Sequence, residues 1–225
     1  MSKLIEIKEL YKIYSGIVET VAIENFNASF EEGEIVAVAG PSGSGKTTLL
    51  SCIGGILRPT SGRVFVDGQD ITRYNDEELA NYRCNKVGLV YQNYNLIEQF
   101  TIYENVAVPL LIAGYKRSEI KKRVNSLLKS FNIERYADTF PPYLSGGEQQ
   151  RVAICVALAN DPPIILADEP TGNLDRQNTE TVLNFLIEKC RENNKTVIIA
   201  SHDPFVLEAV DRVIYLSKGR HLQAK

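Results

Sequence analysis

Residues 40–48 read GPSGSGKTT. They follow the apolar run EIVAVA and open a stretch with helical patterning from Leu50 to Ile56. No other feature restricts the fold as much. From Gly40 to Thr47 the residues fit G-x-x-x-x-G-K-[ST], a loop whose backbone N–H groups turn inward around phosphates. Gly40, Pro41, Ser42, Gly43, Ser44 and Gly45 form the cradle, and Thr48 follows in the helix. Lys46 supplies a mobile positive charge for the β- and γ-phosphates, and the Thr47 hydroxyl is a ligand for Mg²⁺. The helix N-terminus adds its dipole. A chance glycine turn does not explain a loop flanked by a buried strand and a helix.

A second element is IILADEP, residues 164–170. Asp168 at the strand end suits Mg²⁺, and the adjacent Glu169 is placed to orient or deprotonate a water. IILAD and TVIIAS are continuous apolar runs, as expected of strands covered on both faces in a parallel sheet. The fold class that follows is α/β. The N-terminal third reads as strand-rich, with GRVFVDGQDI as an edge strand and turn. KVGLVYQ (86–92) is a further buried strand. Residues 118–133 have helical spacing, 148–161 read as a helix stopped by Pro162 and Pro163, and 179–193 as an amphipathic helix. The organisation predicted is one domain over 1–225. Its nucleotide-binding core covers about 1–93 and 159–225, and a helical section at 94–158 is inserted between the halves.

Composition excludes several classes. Net charge is −3 over 225 residues and the sequence pI is 5.6, which lacks the basic footprint of a nucleic-acid binder. Cys52, Cys84, Cys155 and Cys190 form no CxxC pair, so they read as reduced, mostly buried thiols. The start MSKLIEIKEL has no signal-peptide core. The best apolar stretch, NVAVPLLIAG, is too short to span a bilayer and contains Pro109. The chain is therefore expected in the cytoplasm, reaching a membrane only through another protein. No appended regulatory domain is expected after the last strand, RVIYLSKG.

Residues 144–151 read LSGGEQQR. Ser145 and Glu148 make a capping box, S-x-x-E. A cap alone does not call for two glycines, and Gly146 with Gly147 would let backbone amides approach an anion at a helix N-terminus. Taken in order, GPSGSGKTT, Gln92 after VGLVY, LSGGEQQR, IILADEP, NLD (173–175) and His202 after TVIIAS resemble the ATP-binding subunits of ABC transporters. The resemblance runs from Lys3 to about Leu222. It implies a P-loop NTPase fold with a RecA-like parallel core, an N-terminal antiparallel β subdomain and an inserted α-helical subdomain. It also implies ATP and Mg²⁺ as ligands, hydrolysis to ADP and phosphate, and a homodimer formed head to tail. Ser145, Gly146, Gly147 and Glu148 of one copy would then face the γ-phosphate held by its partner. The second nest has no lysine of its own because it completes a site elsewhere.

The same resemblance assigns further roles. Gln92 would touch Mg²⁺ or the attacking water. His202 would contact the γ-phosphate and brace Glu169, and Asp175 would lie at the dimer interface. The adenine would stack on Tyr14, the aromatic of the family's K-x-Y with Lys12, with Tyr11 as runner-up. His221 has no such context and is read as a surface residue. The stretches 95–110 and 170–175 are similar to the lipoprotein-releasing, macrolide-exporting and antimicrobial-peptide-resistance group, which works with a separate membrane permease. That partner would contact the region around Gln92–Tyr103, with Leu96, Ile97 and Phe100 lining its groove. The leading function is thus a transport motor for export or extraction of a lipoprotein, peptide or drug. An ATPase that drives a membrane protein without moving a substrate is the alternative. DNA-repair ATPases and small-molecule kinases fit less well, since no coiled-coil insertion is present and a kinase has no use for LSGGE.

Overall fold

The computed structural model describes residues 3–16, 19–217 and 220–222. Two sheets share the chain. The first is antiparallel, in the order β2-β1-β4-β5, from β1 (Lys3–Tyr14), β2 (Thr20–Glu31), β4 (Ser61–Val66) and β5 (Gln69–Asp70). The second has the order β10-β9-β3-β8-β7-β6. It comprises β3 (Ile35–Ala39), β6 (Val87–Tyr91), β7 (Ile164–Asp168), β8 (Thr196–Ala200), β9 (Arg212–Ser217) and β10 (Arg220–Leu222). Every pairing from β6 to β9 is parallel, and β10 returns antiparallel on β9. The helices are α1 (Lys46–Ile53), α2 (Asp76–Lys86), α3 (Ile102–Ile112), α4 (Arg117–Ser130), α5 (Gly146–Leu158), α6 (Arg176–Glu192) and α7 (Pro204–Ala209).

The apolar runs of the parallel strands are apolar because both faces are covered. Side chains alternate along a strand, so Ile164, Leu166, Ile198 and Ala200 join one core cluster and Ile165, Ala167, Val197 and Ile199 the other. The first cluster packs against α1 and the antiparallel sheet, through Leu49, Ile53, Phe26 and Phe30. The second continues without a break through α6 and α5 to the apolar faces of α3 and α4, including Val106, Leu110, Val124 and Leu128.

Three sequence expectations shift. The helix expected to run to residue 161 ends at Leu158, before either proline. The Arg123 side chain reaches over from α4 and donates to the carbonyls of Leu158 (3.0 Å) and Ala159 (3.1 Å). It satisfies the orphan acceptors of the helix end from outside the helix, a contact no local pattern announces. Helix α4 stops at Ser130, because Asn132 adopts a left-handed φ of 54°, yet Phe131 and Ile133 remain buried. The strand taken for an edge, β4, lies between β1 and the two-residue β5, which the Asp67–Gly68 turn folds back alongside it.

Candidate functional site

The phosphate loop lies between the end of β3 and α1, at the C-terminal edge of the parallel sheet. Gly45 caps α1 with φ 99° and ψ 8°, and offers no side-chain hydrogen bond to the first turn. A Cβ here would stand 2.3 Å from the Ala22 carbonyl oxygen, so glycine is required by both space and conformation. The first amides of α1 thus face a cavity rather than a cap. That cavity, of about 610 Å³, is lined by Tyr14, Pro41 through Thr48, Gln92, Glu169, Gly172 and His202.

Two neighbouring strand ends bring in the rest. Asp168 closes β7, and the Thr47 hydroxyl donates to its Oδ1 at 3.1 Å. Burial raises the Asp168 carboxyl above its ordinary pKa. The Thr47 bond works the other way, the Glu169 charge adds to the rise and Lys46 opposes it. Next along, Glu169 adopts a left-handed φ of 46° and donates its amide to the Ala200 carbonyl of β8 at 2.9 Å. This turn aims its carboxylate at the loop. Glu169 Oε1 lies 3.5 Å from Lys46 Nζ and 3.0 Å from His202 Nδ1. Lys46, almost fully buried, also donates to the carbonyls of Gly40 (2.9 Å) and Pro41 (3.3 Å). Lysine, glutamate and histidine from three segments therefore meet at one point.

The residues present fit a nucleotide triphosphate. The Ser44 hydroxyl is buried at the base of the loop without a hydrogen-bond partner among the described residues, which suits an incoming anion. Thr47 and Asp168 offer hard oxygen donors side by side, and Gln92 lines the same cavity. Among the described residues no cluster of three His, Cys, Asp or Glu forms an all-protein metal cage. Mg²⁺ does not need one, since it takes one or two protein oxygens and completes its shell with water and phosphate. Tyr14 lines the cavity mouth, its hydroxyl 3.3 Å from Thr48 Oγ1 and its ring 5.3 Å from Lys12 Nζ. Tyr11 does not line it. His221 lies in β10, and its side chain is outside the described residues.

The residues of LSGGE stand apart from this cavity. Ser145 caps α5, with its Oγ accepting from the Glu148 amide at 3.4 Å and donating to Glu148 Oε2 at 2.7 Å. Burial opposes the Glu148 charge, but bonds from the Tyr136 hydroxyl and from the Ser145 hydroxyl and amide outweigh it, with help from Arg151. The carboxyl is held down at about 2. The two glycines prove to have an intrachain reason. A Cβ on Gly146 would meet the Tyr94 hydroxyl at 2.8 Å, and one on Gly147 would meet Asn178 Oδ1 at 2.5 Å. Asp175 caps α6, accepting from the Asn178 amide (2.9 Å) and side chain (2.8 Å), which lowers its pKa. The same asparagine therefore touches the start of both helices.

Sequence reasoning passed over Asn173, Asn93 and Tyr136. Asn173 stands in the quoted NLD, but its role depends on contact with Gln92, which lies 81 residues away in sequence. Beside the segment expected to line a partner's groove, residues 96–100, lies a separate cavity. A cavity of about 410 Å³ between α2, β6 and α5 is lined by Arg83, Cys84, Tyr91, Tyr94, Asn95 and Ile112 among others, and not by Leu96, Ile97 or Phe100. Buried Asn105 explains this. It accepts from the Ile97 amide (2.7 Å) and donates to the carbonyls of Ile97, Phe100 and Thr101 (3.0, 3.1 and 3.0 Å), folding the segment on itself. Leu96 packs against the core, while Ile97 and Phe100 face outward.

A glycine loop between a parallel strand and a helix, with an Asp–Glu pair at the adjoining strand end, defines the P-loop nucleotide triphosphatases. Within that class, the family model described as ABC transporter matches residues 23–172. The chain belongs to the ABC transporter family and carries its ATPase domain. It is 48% identical over 91% of its length to an uncharacterized ABC transporter ATP-binding protein of Mycobacterium tuberculosis, of which it spans 62%. It is 42% identical to a lipoprotein-releasing system ATP-binding protein, LolD, of Hyphomonas neptunium, covering 97% of this chain and 95% of that one. A methionine import ATP-binding protein, MetN, of Carboxydothermus hydrogenoformans is 43% identical over 96% of this chain and 64% of its own. The solved ATP-binding cassette MJ0796, a Methanocaldococcus jannaschii protein, is a dimer in a post-hydrolysis state with ADP and Pi. It superposes with a TM-score of 0.90 at 41% identity, over 98% of this chain and 97% of that one.

Proposed function

We propose that this chain binds and hydrolyses ATP between two head-to-tail copies of itself and so drives a separate membrane permease. One observation carries the reading. Lys46, Thr47, Glu169 and His202 surround one cavity, with Asp168 bonded to Thr47 at its wall, yet no residue of the LSGGE cap lines it. A second glycine-rich helix start, exposed at Ser145 and lying outside that cavity, suits a neighbour's site. The dimeric cassette to which the chain is similar supports this arrangement.

Lys46 and the amides at the start of α1 would hold the β- and γ-phosphates. Thr47, Asp168 and Gln92 would hold Mg²⁺, which neutralises phosphate charge when bound. Glu169, braced by His202, would take a proton from the water that attacks the γ-phosphorus in line. The bond to the leaving ADP oxygen breaks as the new one forms. Ser145, Gly146, Gly147 and Glu148 of the partner copy would cover the γ-phosphate, with Asp175 at the seam between the copies. Loss of that anion would weaken the interface. The chain would thus open and close with its nucleotide, since only a ligand with different affinity for the two states shifts their balance.

Among the described residues no helix is long and apolar enough to cross a membrane; we place the permease in a separate chain and this subunit on the cytoplasmic face beside it. The mostly apolar groove between Arg83, Tyr94 and Ile112, at the Gln92 end of the region expected to meet the partner, would be the docking site, and it suits an amphipathic helix. Relatives are named for lipoprotein release and for methionine import. The likeness to LolD supports lipoprotein release within the wider reading of lipoprotein, peptide or drug extraction, and the permease would choose the cargo. A force-transmitting ATPase would use the same residues; the membrane protein that co-purifies with the chain distinguishes the two. For the central reading, Glu169→Gln with MgATP is expected to run at twice the mass of the monomer by light scattering. Adding Ser145→Arg should return it to monomer while nucleotide binding persists, and a trapped complex of unit mass would overturn the reading.

A further inference from the structure

We infer that Asn173 positions Gln92 by fixing which end of its side-chain amide faces the bound metal. This rests on the reading of Gln92 as an Mg²⁺ ligand. The Gln92 backbone carbonyl oxygen can only accept. One end of the Asn173 amide lies 3.0 Å from the Gln92 backbone carbonyl oxygen and 3.1 Å from Asn93 Oδ1. A carbonyl oxygen accepts and never donates, so that end of Asn173 is Nδ2. Its other end, Oδ1, must then face Gln92, and it lies 3.1 Å from the Gln92 side chain. An oxygen there attracts Nε2 and repels Oε1. The Gln92 amide is therefore turned with Nε2 toward Asn173 and Oε1 away from it.

The orientation has a chemical consequence. A divalent cation of the Mg²⁺ type binds carbonyl oxygen and not an amide NH₂. Only one of the two ways of setting the Gln92 side chain presents a ligand to the cavity that it lines. Without Asn173 both settings are open, and Gln92 would spend part of its time offering a hydrogen-bond donor to a cation. The neighbouring backbone adds a wall. Gly172 is so close that a Cβ there would stand 2.7 Å from Gln92 Nε2. The Gly172 amide donates to the Glu169 carbonyl at 3.0 Å. The segment that sets Gln92 is thus the continuation of the turn that aims Glu169, so the metal ligand and the proposed base are set by one stretch of chain. These bonds lie at the protein surface. Individually such bonds contribute little, and their effect is expected on geometry at the site rather than on folding.

The test is a double-mutant cycle read by equilibrium metal binding, so that it does not depend on turnover. Mn²⁺ is titrated into the protein saturated with a non-hydrolysable ATP analogue and followed by its electron paramagnetic resonance signal. Gln92→Ala, Asn173→Ala and the double variant are compared with the wild type, with thermal midpoints as a check on folding. Gln92→Ala and Asn173→Ala should each weaken Mn²⁺ binding by about 3- to 10-fold, the effect of one modest hydrogen bond or ligand contact. The double variant should be no weaker than Gln92→Ala alone, because a residue that acts only through another has nothing left to act on. Asn173→Ser, whose hydroxyl can donate and accept but on a shorter side chain, should fall between wild type and Asn173→Ala. Unchanged Mn²⁺ affinity in Gln92→Ala would remove Gln92 as a ligand and the inference with it. Weakened binding in Gln92→Ala with wild-type binding in Asn173→Ala, or losses that simply add, would overturn the inference and leave the ligand assignment standing.

Discussion

Gly88→Ala places the contact between α5, the helix that LSGGE begins, and the sheet under direct strain. Gly88 sits in β6, where α5 crosses the sheet. A Cβ at this position would stand 2.3 Å from the Ala157 carbonyl oxygen, 2.7 Å from Ile165 Cδ1 and 3.0 Å from the Ala157 carbonyl carbon. Ordinary contact begins near 3.4 Å, leaving a shortfall of about 1 Å in an interior packed as densely as an organic crystal. Two of the three obstructing atoms are backbone, so no side-chain rotation relieves the clash. Helix α5 must lift from the sheet. Overpacking of this kind costs about 1–3 kcal/mol, and alanine recovers roughly 0.5–1 kcal/mol over glycine in a strand interior. With backbone atoms in the way the overpacking cost lies in the upper part of its range, about 2–3 kcal/mol, so the net loss is about 1–2.5 kcal/mol and the thermal midpoint falls by about 2–10 °C in a chain of this size. Differential scanning calorimetry measures it. Because Ser145 begins the same helix, ATP-induced pairing should weaken in parallel. A midpoint within about 1 °C of wild type would show that α5 is not seated on β6 as described.

Two further outcomes follow from single carboxylates. Glu169→Gln should retain nucleotide affinity in a fluorescent-ATP titration while turnover falls by roughly 10²–10⁴, the span of general base catalysis; near-wild-type turnover would remove Glu169 from that role. Glu148 is held at about 2 in the fold against an ordinary value of 4.5, so its stabilising effect is complete above pH 4.5 and is lost as pH falls toward 2. Glu148→Ala should therefore be less stable than wild type at neutral pH, and the gap should close in denaturant melts taken through that acid window.

The sequence carried the parallel core in a form that physics makes legible. Runs such as IILAD and IVAVA are uninterrupted because two cores cover them, and a glycine loop between strand and helix has few structural settings. The α/β P-loop architecture and the family were readable on that basis. What escaped was set by contacts between distant segments. The end of α5 is decided by Arg123 from α4, the fold of residues 97–101 by Asn105, and the orientation of Gln92 by Asn173. None of these residues has a local pattern that announces its partner. The two glycines at 146 and 147 give a different lesson. Sequence reasoning assigned them to an anion, whereas Tyr94 and Asn178 of the same chain already leave no room for a Cβ. Packing and phosphate approach call for the same residue, so glycine alone does not tell which one operates.

Whether each nucleotide is shared between copies is tested most directly by mixing two inactive variants. Lys46→Ala spoils the phosphate loop of its own copy, and Ser145→Arg spoils the cap that copy offers its partner. In a mixed head-to-tail pair, one site collects both defects and the other has neither. The account predicts that the mixture hydrolyses ATP while each variant alone does not. Turnover no greater than that of the separate variants would contradict it.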